Sequence, residues 1–268
     1  MTDRADDVLG RMGHAERRLL DVLEAFAELE STNTWLLQQE SPPPGRFRAV
    51  IAEHQTAGRG RNEKIWHSTP SSSLCLSLAY TFAKAPRNLP SLTLATGVGI
   101  AAALLTLGAH GIALKWPNDL VANDGKLGGI LTEIHSGGGA GQTVVVGVGL
   151  NIDLSNAMRY TPPASWTVKI TDLAHCMATL PDRSALAAAI IASLIDSVGR
   201  FEREGFGAFH STWQNSDWLK GKTVRVQQSH GLITGIADGI DDDGALLVRT
   251  DARTERVVSG SVELPARV

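Results

Sequence analysis

Residues 112–135, IALKWPNDLVANDGKLGGILTEIH, and residues 143–152, TVVVGVGLNI, form a succession of short apolar runs broken by tight turns. Pro117-Asn118-Asp119 and Asn123-Asp124-Gly125 occupy the breaks. Proline presets φ, Asn and Asp bond to their own backbone, and glycine takes a left-handed φ at no steric cost. Asn or Asp before glycine, between apolar runs, is a hairpin signal, so the region predicts strands that are mainly antiparallel. Residues 136–141, SGGGAG, read as the loop tip before the last strand.

Working outward, residues 73–80 (SLCLSLAY) alternate with period two, predicting a half-buried strand, and residues 47–53 (FRAVIAE) predict a buried one. Residues 90–107 read as a helix. Leu19, Leu20 and Leu23 have helical spacing within residues 16–24, residues 26–30 suit a short strand, and residues 35–39 look helical. Downstream, Leu186, Ile190, Leu194 and Phe201 form one helical stripe behind an Asp182/Ser184 cap, and residues 206–218 continue as a second helix. After Trp218, short strands are expected at 223–227, 232–237, 245–250, 256–259 and 261–264, which suggests a small β-barrel. The fold class is therefore α+β. A mixed, mainly antiparallel sheet flanked by helices is expected in residues 1–218, with the small barrel in 219–268.

The composition excludes several alternatives. With 268 residues, 43% hydrophobic and 20% charged, the chain has ordinary globular usage and is neither disordered, collagen-like nor a coiled coil. A net charge of -3 gives no bulk attraction to DNA or anionic membranes. Cys75 and Cys176 form no CxxC or Cys/His cluster, so neither a disulfide framework nor a zinc site is expected, and a reducing cytoplasm fits. Asp3, Asp6 and Asp7 and the lack of an apolar run argue against a signal peptide in residues 1–18, and Gly97, Gly99 and Gly108 interrupt the apolar residues 92–109 short of a membrane span. A cytoplasmic protein is the expectation. Glycine is the outlier: of 27, 13 fall between Gly97 and Gly149, where something requires backbone without side chains.

Residues 53–66, EHQTAGRGRNEKIW, are the densest polar segment. Glycines beside arginines admit close approach of backbone N–H groups while guanidinium groups reach phosphate or carboxylate oxygens. A solvated loop with three cations is the competing reading. Familiar nucleotide motifs fail on spacing: Gly221-Lys222-Thr223 lacks the earlier Walker glycine, where Ser216 stands, and Gly97-Val98-Gly99 lies inside a helical pattern, where helix packing explains it. There is no G-x-S-x-G elbow or H-E-x-x-H zinc spacing. Lys126, by contrast, begins a strand of small and apolar residues beside Gly128 and Gly129, which leave room for a ligand against the backbone. Asn118-Asp119 alone fills a turn, and Asn151 is either a strand-end cap or a binding group.

Ser31-Thr32-Asn33, GRGRNEKIW at 58–66, KWPND at 115–119, KLGGIL at 126–131 and GVGLN at 147–151, in this order, resemble biotin protein ligases. With the barrel-like C-terminus the resemblance covers most of the chain. It implies a class II aminoacyl-tRNA-synthetase-like catalytic domain and an SH3-like barrel. The implied reaction has two steps: biotin and Mg-ATP give biotinyl-5'-AMP and pyrophosphate, then a lysine of an apo biotin carboxyl carrier domain displaces AMP. The implied biotin site is Ser31, Thr32, Asn33, Gln55, Gly58, Arg59, Gly60, Arg61, Lys126 and Gly129. Arg59, Arg61, Trp66, Asn118, Lys126 and Asn151 are implied on the ATP or adenylate side, and Arg61, Lys126 and Asp119 as catalytic residues. Mg2+ comes with ATP, and no tightly bound protein metal site is expected.

Two departures stand out: Lys64 replaces the family's usual arginine, and Ser261 stands where an acidic residue often follows glycine, so no site is assigned in the C-terminal segment. Residues 1–30 are too few for the winged helix-turn-helix of the ligases that repress biotin operons, so no DNA binding is expected, and the resemblance allows a monomer or weak homodimer. Competing readings are a lipoate or octanoate ligase or transferase, whose arginine-glycine motif is expected to differ, and a noncatalytic sensor of biotin or its adenylate.

Overall fold

The computed structural model describes residues 5–135, 141–155, 169–229 and 231–265. Two short helices, α1 (Ala5–Arg11) and α2 (His14–Leu19), lead directly into β1 (Leu20–Leu29). The helix expected over 16–24 thus stops at Leu19. From there the chain runs parallel to β2 (Phe47–Gln55), from Leu20 opposite Phe47 to Leu29 opposite Gln55. Pairing with a neighbour overrides the helical spacing, because Leu23 and Phe26 each find an apolar cluster, one on either face of the sheet. Between the two strands lies α3 (Thr32–Leu37), three residues earlier than the helix read at 35–39.

The strands β3 (Ser73–Phe82), β4 (Ala113–Lys115), β5 (Asp119–Ala122), β6 (Gly125–His135) and β7 (Gln142–Asn151) complete a seven-stranded sheet in the order β1-β2-β3-β7-β6-β5-β4. Only β1 and β2 are parallel; the other pairs are antiparallel, as the hairpin signals predict. Of the loop tip read at 136–141, only Gly141 lies within the described residues.

The two faces of this sheet differ in side-chain size. Leu74, Leu76, Leu78, Val144, Val146 and Val148 point into the main core, whereas the alternate positions are Ser73, Cys75, Ser77 and Ala79 on β3 and Val145, Gly147 and Gly149 on β7. The expected half-burial of β3 is corrected: all ten of its residues are buried, because the small-residue face is covered as well. On the apolar face lie α4 (Leu92–Thr106), α5 (Arg183–Glu204) and α6 (Gly207–Asn215). A Cβ on Gly99 would overlap the Ser197 hydroxyl, so this glycine of α4 lets α5 approach closely. By length and composition alone, Leu89–Thr106 and Arg183–Glu204 would each suit a bilayer span. Their buried faces pack in this core, which accounts for their apolarity.

The C-terminal strands β8 (Thr223–Gln228), β9 (Gly231–Ile240), β10 (Leu246–Arg249), β11 (Thr254–Val257) and β12 (Ser261–Glu263) form an antiparallel sheet in the order β11-β10-β9-β8-β12. Its inward residues, among them Val224, Val226, Leu246 and Val248, join the main buried cluster. The Trp116 indole N–H donates to the Gly244 carbonyl at 3.0 Å, and the Asn88 amide donates to the Asp243 carbonyl at 2.5 Å. Leu114 exchanges backbone bonds with Ser216 and Trp218, both 2.8 Å. These contacts bring β12 to the mouth of a cavity on the small-residue face.

Candidate active site

That cavity measures about 830 Å³, within the range of small-molecule sites. Its floor centres on three glycines, Gly129, Gly147 and Gly149. Gly129 pairs with Gly149, which pairs with Cys75; one row over, Leu131 pairs with Gly147, which pairs with Ser77. A Cβ on Gly149 would overlap the Trp66 indole, and one on Gly147 would overlap the Asn33 carboxamide. The glycines therefore let two polar or aromatic side chains lie directly on the sheet.

At one end, α3 presents a hydroxyl and amide cluster. The Ser31 hydroxyl caps the helix by accepting from Thr34 N at 3.4 Å. Gln55 Oε1 accepts from the Thr32 backbone N–H (2.7 Å) and hydroxyl (3.0 Å), which fixes which end of the carboxamide faces α3. The Ser77 hydroxyl lies 2.7 Å from Thr32 Oγ1 and 2.6 Å from Asn33 Oδ1, one proton serving two acceptors. Asn33 donates to the Leu131 carbonyl (3.1 Å) and Glu133 Oε2 (2.8 Å), tying α3 to β6. Ser31, Thr32, Asn33 and Gln55 all line the cavity and are all buried. The buried Cys75 thiol nearby has its pKa raised by burial, so it is a neutral, inert group.

The arginine-glycine segment folds back on itself. Trp66 N donates to Gly58 O (2.9 Å), Gly60 N donates to Lys64 O (2.7 Å), and Arg59 bridges Ile65. At its tip Asn62 and Glu63 hold left-handed backbone, φ 54° and 59°, a conformation costly for Glu. Gly58 departs from the sequence reading: it does not line the cavity, and a Cβ there would overlap the Trp66 carbonyl. Close backbone approach, rather than ligand contact, requires that glycine. Gly60, Arg59 and Arg61 do line the cavity. Arg59 is ion-paired with Glu133 and donates to Thr34 Oγ1 at 3.4 Å. Among the described residues the Arg61 guanidinium has no hydrogen bond or ion pair. Burial pushes its pKa down, opposed by the field of Asp119. Trp66 lies across the glycine floor with Lys126 Nζ 5.9 Å from its ring centroid.

The opposite wall is the β4–β5–β6 hairpin pair. Lys115 faces Asp119 across β4 and β5, and Asp119 faces Gly129 across β5 and β6. Lys126 Nζ is 2.7 Å from Asp119 Oδ1, and Lys115 Nζ is 3.5 Å from Oδ2. Burial alone would push the Asp119 pKa up; Lys126 and Lys115 together outweigh it and hold the carboxyl below its ordinary value. Asn118 and Asn151 line the cavity, but each donates its amide inward, Asn118 to the Ile130 carbonyl (2.9 Å) and Asn151 to those of Thr171 (2.9 Å) and Lys126 (3.4 Å).

Apart from Gly58 and Gly128, whose Cβ would overlap the Gly149 carbonyl rather than open space for a ligand, every residue singled out from the sequence thus converges on one cavity. Sequence reasoning missed Lys115, Gly147, Gly149, Glu133 and the C-terminal wall, where Gly260, Ser261, Val262 and Glu263 line the mouth and Asn62 lies 3.4 Å from the Ser261 hydroxyl. The period-two glycines of GVGLN were a usable signal for the floor. Nothing in the C-terminal strands marked their place at the mouth.

Residues 25–151 match the model of the biotin/lipoate A/B protein ligase family, and residues 220–264 that of the biotin protein ligase C terminal domain. The chain is 32% identical to the Mycobacterium tuberculosis biotin--[acetyl-CoA-carboxylase] ligase over 90% of its length and 88% of that protein. It is also 32% identical to the Escherichia coli bifunctional ligase/repressor BirA, over 97% of this chain and 77% of that one. The structure of the Aquifex aeolicus biotin protein ligase in complex with biotin and ATP superposes with a TM-score of 0.74 at 24% identity, covering 91% of this chain and 97% of that one, which shows a shared fold. On sequence identity across nearly its whole length, the chain belongs to the biotin protein ligase family.

Proposed function

We propose that the protein is an ATP-dependent biotin ligase, which forms biotinyl-5'-AMP and transfers biotin to a lysine of a biotin carboxyl carrier domain. The observation that carries this reading is the pairing of two walls over a glycine floor. Arg61 is a half-buried cation with no hydrogen bond or ion pair among the described residues, and Lys126–Asp119 stands opposite. An unpaired guanidinium at a cavity wall is suited to an anion, and a carboxylate to be activated together with a triphosphate supplies two. Membership of the ligase family supports the same reading.

In the first step a biotin carboxylate oxygen attacks the α-phosphorus, the bond to the β-phosphate oxygen breaks, and pyrophosphate leaves. Arg61, Arg59 and Lys126 are the cations available to the developing phosphoryl charge. Ser31, Thr32 and Gln55 offer donors and acceptors to the ureido ring, and Asn33, whose amide is committed to β6, positions them. Trp66 offers an aromatic face to adenine, while Asn118 and Asn151 shape the adenylate side. Magnesium enters with the triphosphate as part of the substrate; the described residues contain no cluster of three or more His, Cys, Asp or Glu able to hold a metal ion. In the second step the neutral form of the acceptor amine attacks the acyl carbon, the bond to the phosphate oxygen breaks, AMP departs, and the proton left on nitrogen passes to solvent. An amine with a pKa near ~10.4 is almost wholly protonated at neutral pH. A bare carboxylate would raise that pKa further, so Asp119 acts by orienting the amine.

The seven-stranded sheet with its helices corresponds in this reading to a class II synthetase-like domain in residues 1–218, and the five strands to an SH3-like barrel in 219–268. A cytoplasmic location, no operator binding, and a monomer or weak homodimer complete the proposal. Incubation with biotin, Mg-ATP and apo carrier domain, read by mass spectrometry, tests it. A biotin-dependent mass gain with pyrophosphate release is expected; the absence of both would rule the ligase out. A salt-sensitive operator complex in a gel shift would overturn the absence of DNA binding.

A further inference from the structure

Asp119 is held by two lysines on two different oxygens, and the proposed reaction draws on only Lys126. Lys126, at the start of β6, approaches Oδ1 from the cavity side beside the Trp66 ring. Lys115, from β4, approaches Oδ2; its side chain is 12% exposed, against 28% for Lys126. The two cations are therefore not equivalent. Lys126 can turn toward a bound phosphate, whereas Lys115 sits deeper, directly across the β4–β5 ladder from its partner.

We propose that Lys115 is a positioning residue, the standing counter-ion that keeps Asp119 ionised and aimed while Lys126 serves the phosphate of the adenylate. The proposal rests on the ligase reading. Once Lys126 turns to the phosphate, a carboxylate only 14% exposed would lose its closer cation. Desolvation would then favour the neutral acid, which cannot orient an ammonium group electrostatically. Lys115 prevents this from the other carboxylate oxygen. The charged groups that act on Asp119 are Lys115 from β4, Lys126 from β6 and Arg61 from the arginine-glycine loop. Arg61 and Lys126 both face the phosphates, so Lys115 is the cation left for the carboxylate.

The test separates the two half-reactions in Lys115→Met, which keeps the apolar stem, and Lys115→Arg, which keeps the charge. Pyrophosphate release reports adenylation, and transfer is followed from preformed biotinyl-5'-AMP to the apo carrier domain across the pH range. In Lys115→Met the acid limb of the transfer profile is expected to move up by about one unit, the effect of losing a nearby opposite charge. Transfer then falls about tenfold on that limb, recovers towards wild type at alkaline pH, and is restored by Lys115→Arg; adenylation falls less than transfer. A uniform loss at all pH, or equal losses in both steps, would overturn the proposal. Independently of turnover, a 13C titration of the Asp119 carboxyl, assigned by its disappearance in Asp119→Asn, should show a higher pKa in Lys115→Met. An unchanged value there sinks the ion-pair argument even if the protein proves not to be a ligase, whereas a wild-type protein forming neither adenylate nor conjugate removes the ligase reading alone.

Discussion

On the hairpin wall of the cavity the charges are satisfied by the protein itself, Lys126 and Lys115 closing on the two oxygens of Asp119, whereas across the floor Arg61 has no partner among the described residues. The hairpin wall is a rigid ladder whose register fixes each charge. The loop wall is a folded-back segment with two left-handed residues at its tip, and among the described residues Asn62 reaches the C-terminal strand through a 3.4 Å hydrogen bond to Ser261. A preorganised wall costs little reorganisation during the reaction but gives up interactions in order to bind. An open wall keeps its cation free for the ligand, at the cost of desolvating it in advance.

Substituting one cation on each wall should separate these two designs. Lys126→Ala is expected to lower pyrophosphate formation by about 10²–10³-fold, the size of losing one preorganised charge donor. It should also lower stability, because Asp119 then keeps Lys115 as its remaining ion-pair partner among the described residues, at 3.5 Å. Arg61→Ala should lower pyrophosphate formation by about 10²-fold while leaving the melting temperature near that of wild type, since among the described residues no hydrogen bond or ion pair is lost and relief of guanidinium desolvation offsets the lost attraction to Asp119. Thermal melts alongside stopped assays check both. A destabilised Arg61→Ala, or a stable Lys126→Ala, would erase the contrast.

The same contrast explains what could be read from the sequence. Turn chemistry is local, so Asn123-Asp124-Gly125 and the strands around it were legible, as was the clustering of the ordered motifs. The start of strand β1 was not, although residues 26–30 read as a short strand: Leu19, Leu20 and Leu23 satisfy a helix equally well, and only the parallel pairing with β2 decides against it. Lys115 stood inside a motif already noticed, yet its meaning depends on the β4–β5 register that puts it across from Asp119. Ser261 and Glu263 reach the cavity mouth only because the second sheet docks through Trp116 and Gly244, a contact between residues 128 positions apart. Gly58 was read as a ligand-approach glycine because close approach to a ligand and to the Trp66 carbonyl leave the same mark in a sequence.

Just behind the hairpin wall the rule of paired charges fails once, at Asp217, which bridges Leu114 of β4. Its Oδ1 accepts from Leu219 N at 2.8 Å, but Oδ2 is buried with no hydrogen-bond partner by geometry among the described residues. Burial pushes this carboxyl up to about 6, against the pull of the Leu219 and Lys220 backbone N–H groups. A raised carboxyl pKa favours the folded state while the group is protonated, and that contribution is lost as pH rises from the ordinary value of 3.8 through about 6. Asp217→Asn, which keeps the Oδ1 acceptor and cannot ionise, should therefore stabilise the protein at neutral pH by at most about 3 kcal/mol, at ~1.4 kcal/mol per pKa unit. The gain should shrink towards zero near pH 4. Denaturant melts at the two pH values decide it, and a gain that does not depend on pH would mean the carboxylate is solvated after all.

Arg59→Ala should have the smallest effect, because Arg59 combines the two designs. It belongs to the loop wall by sequence but is ion-paired with Glu133, and its side chain is 44% exposed. A cation already paired and partly solvated offers less to a phosphate than Arg61 does, and an exposed pair contributes at most ~1 kcal/mol to stability. The expected outcome is a rise in the ATP KM of about three- to tenfold, kcat changing less, with a melting temperature near that of wild type. Glu133 would then be left with the Asn33 amide as its remaining partner at 2.8 Å, so Asn33 should stay in place and biotin affinity should hold. If Arg59→Ala cost as much as Arg61→Ala, the Glu133 pair would have to open when nucleotide binds, and pairing within the free protein would no longer separate structural from ligand-facing charges.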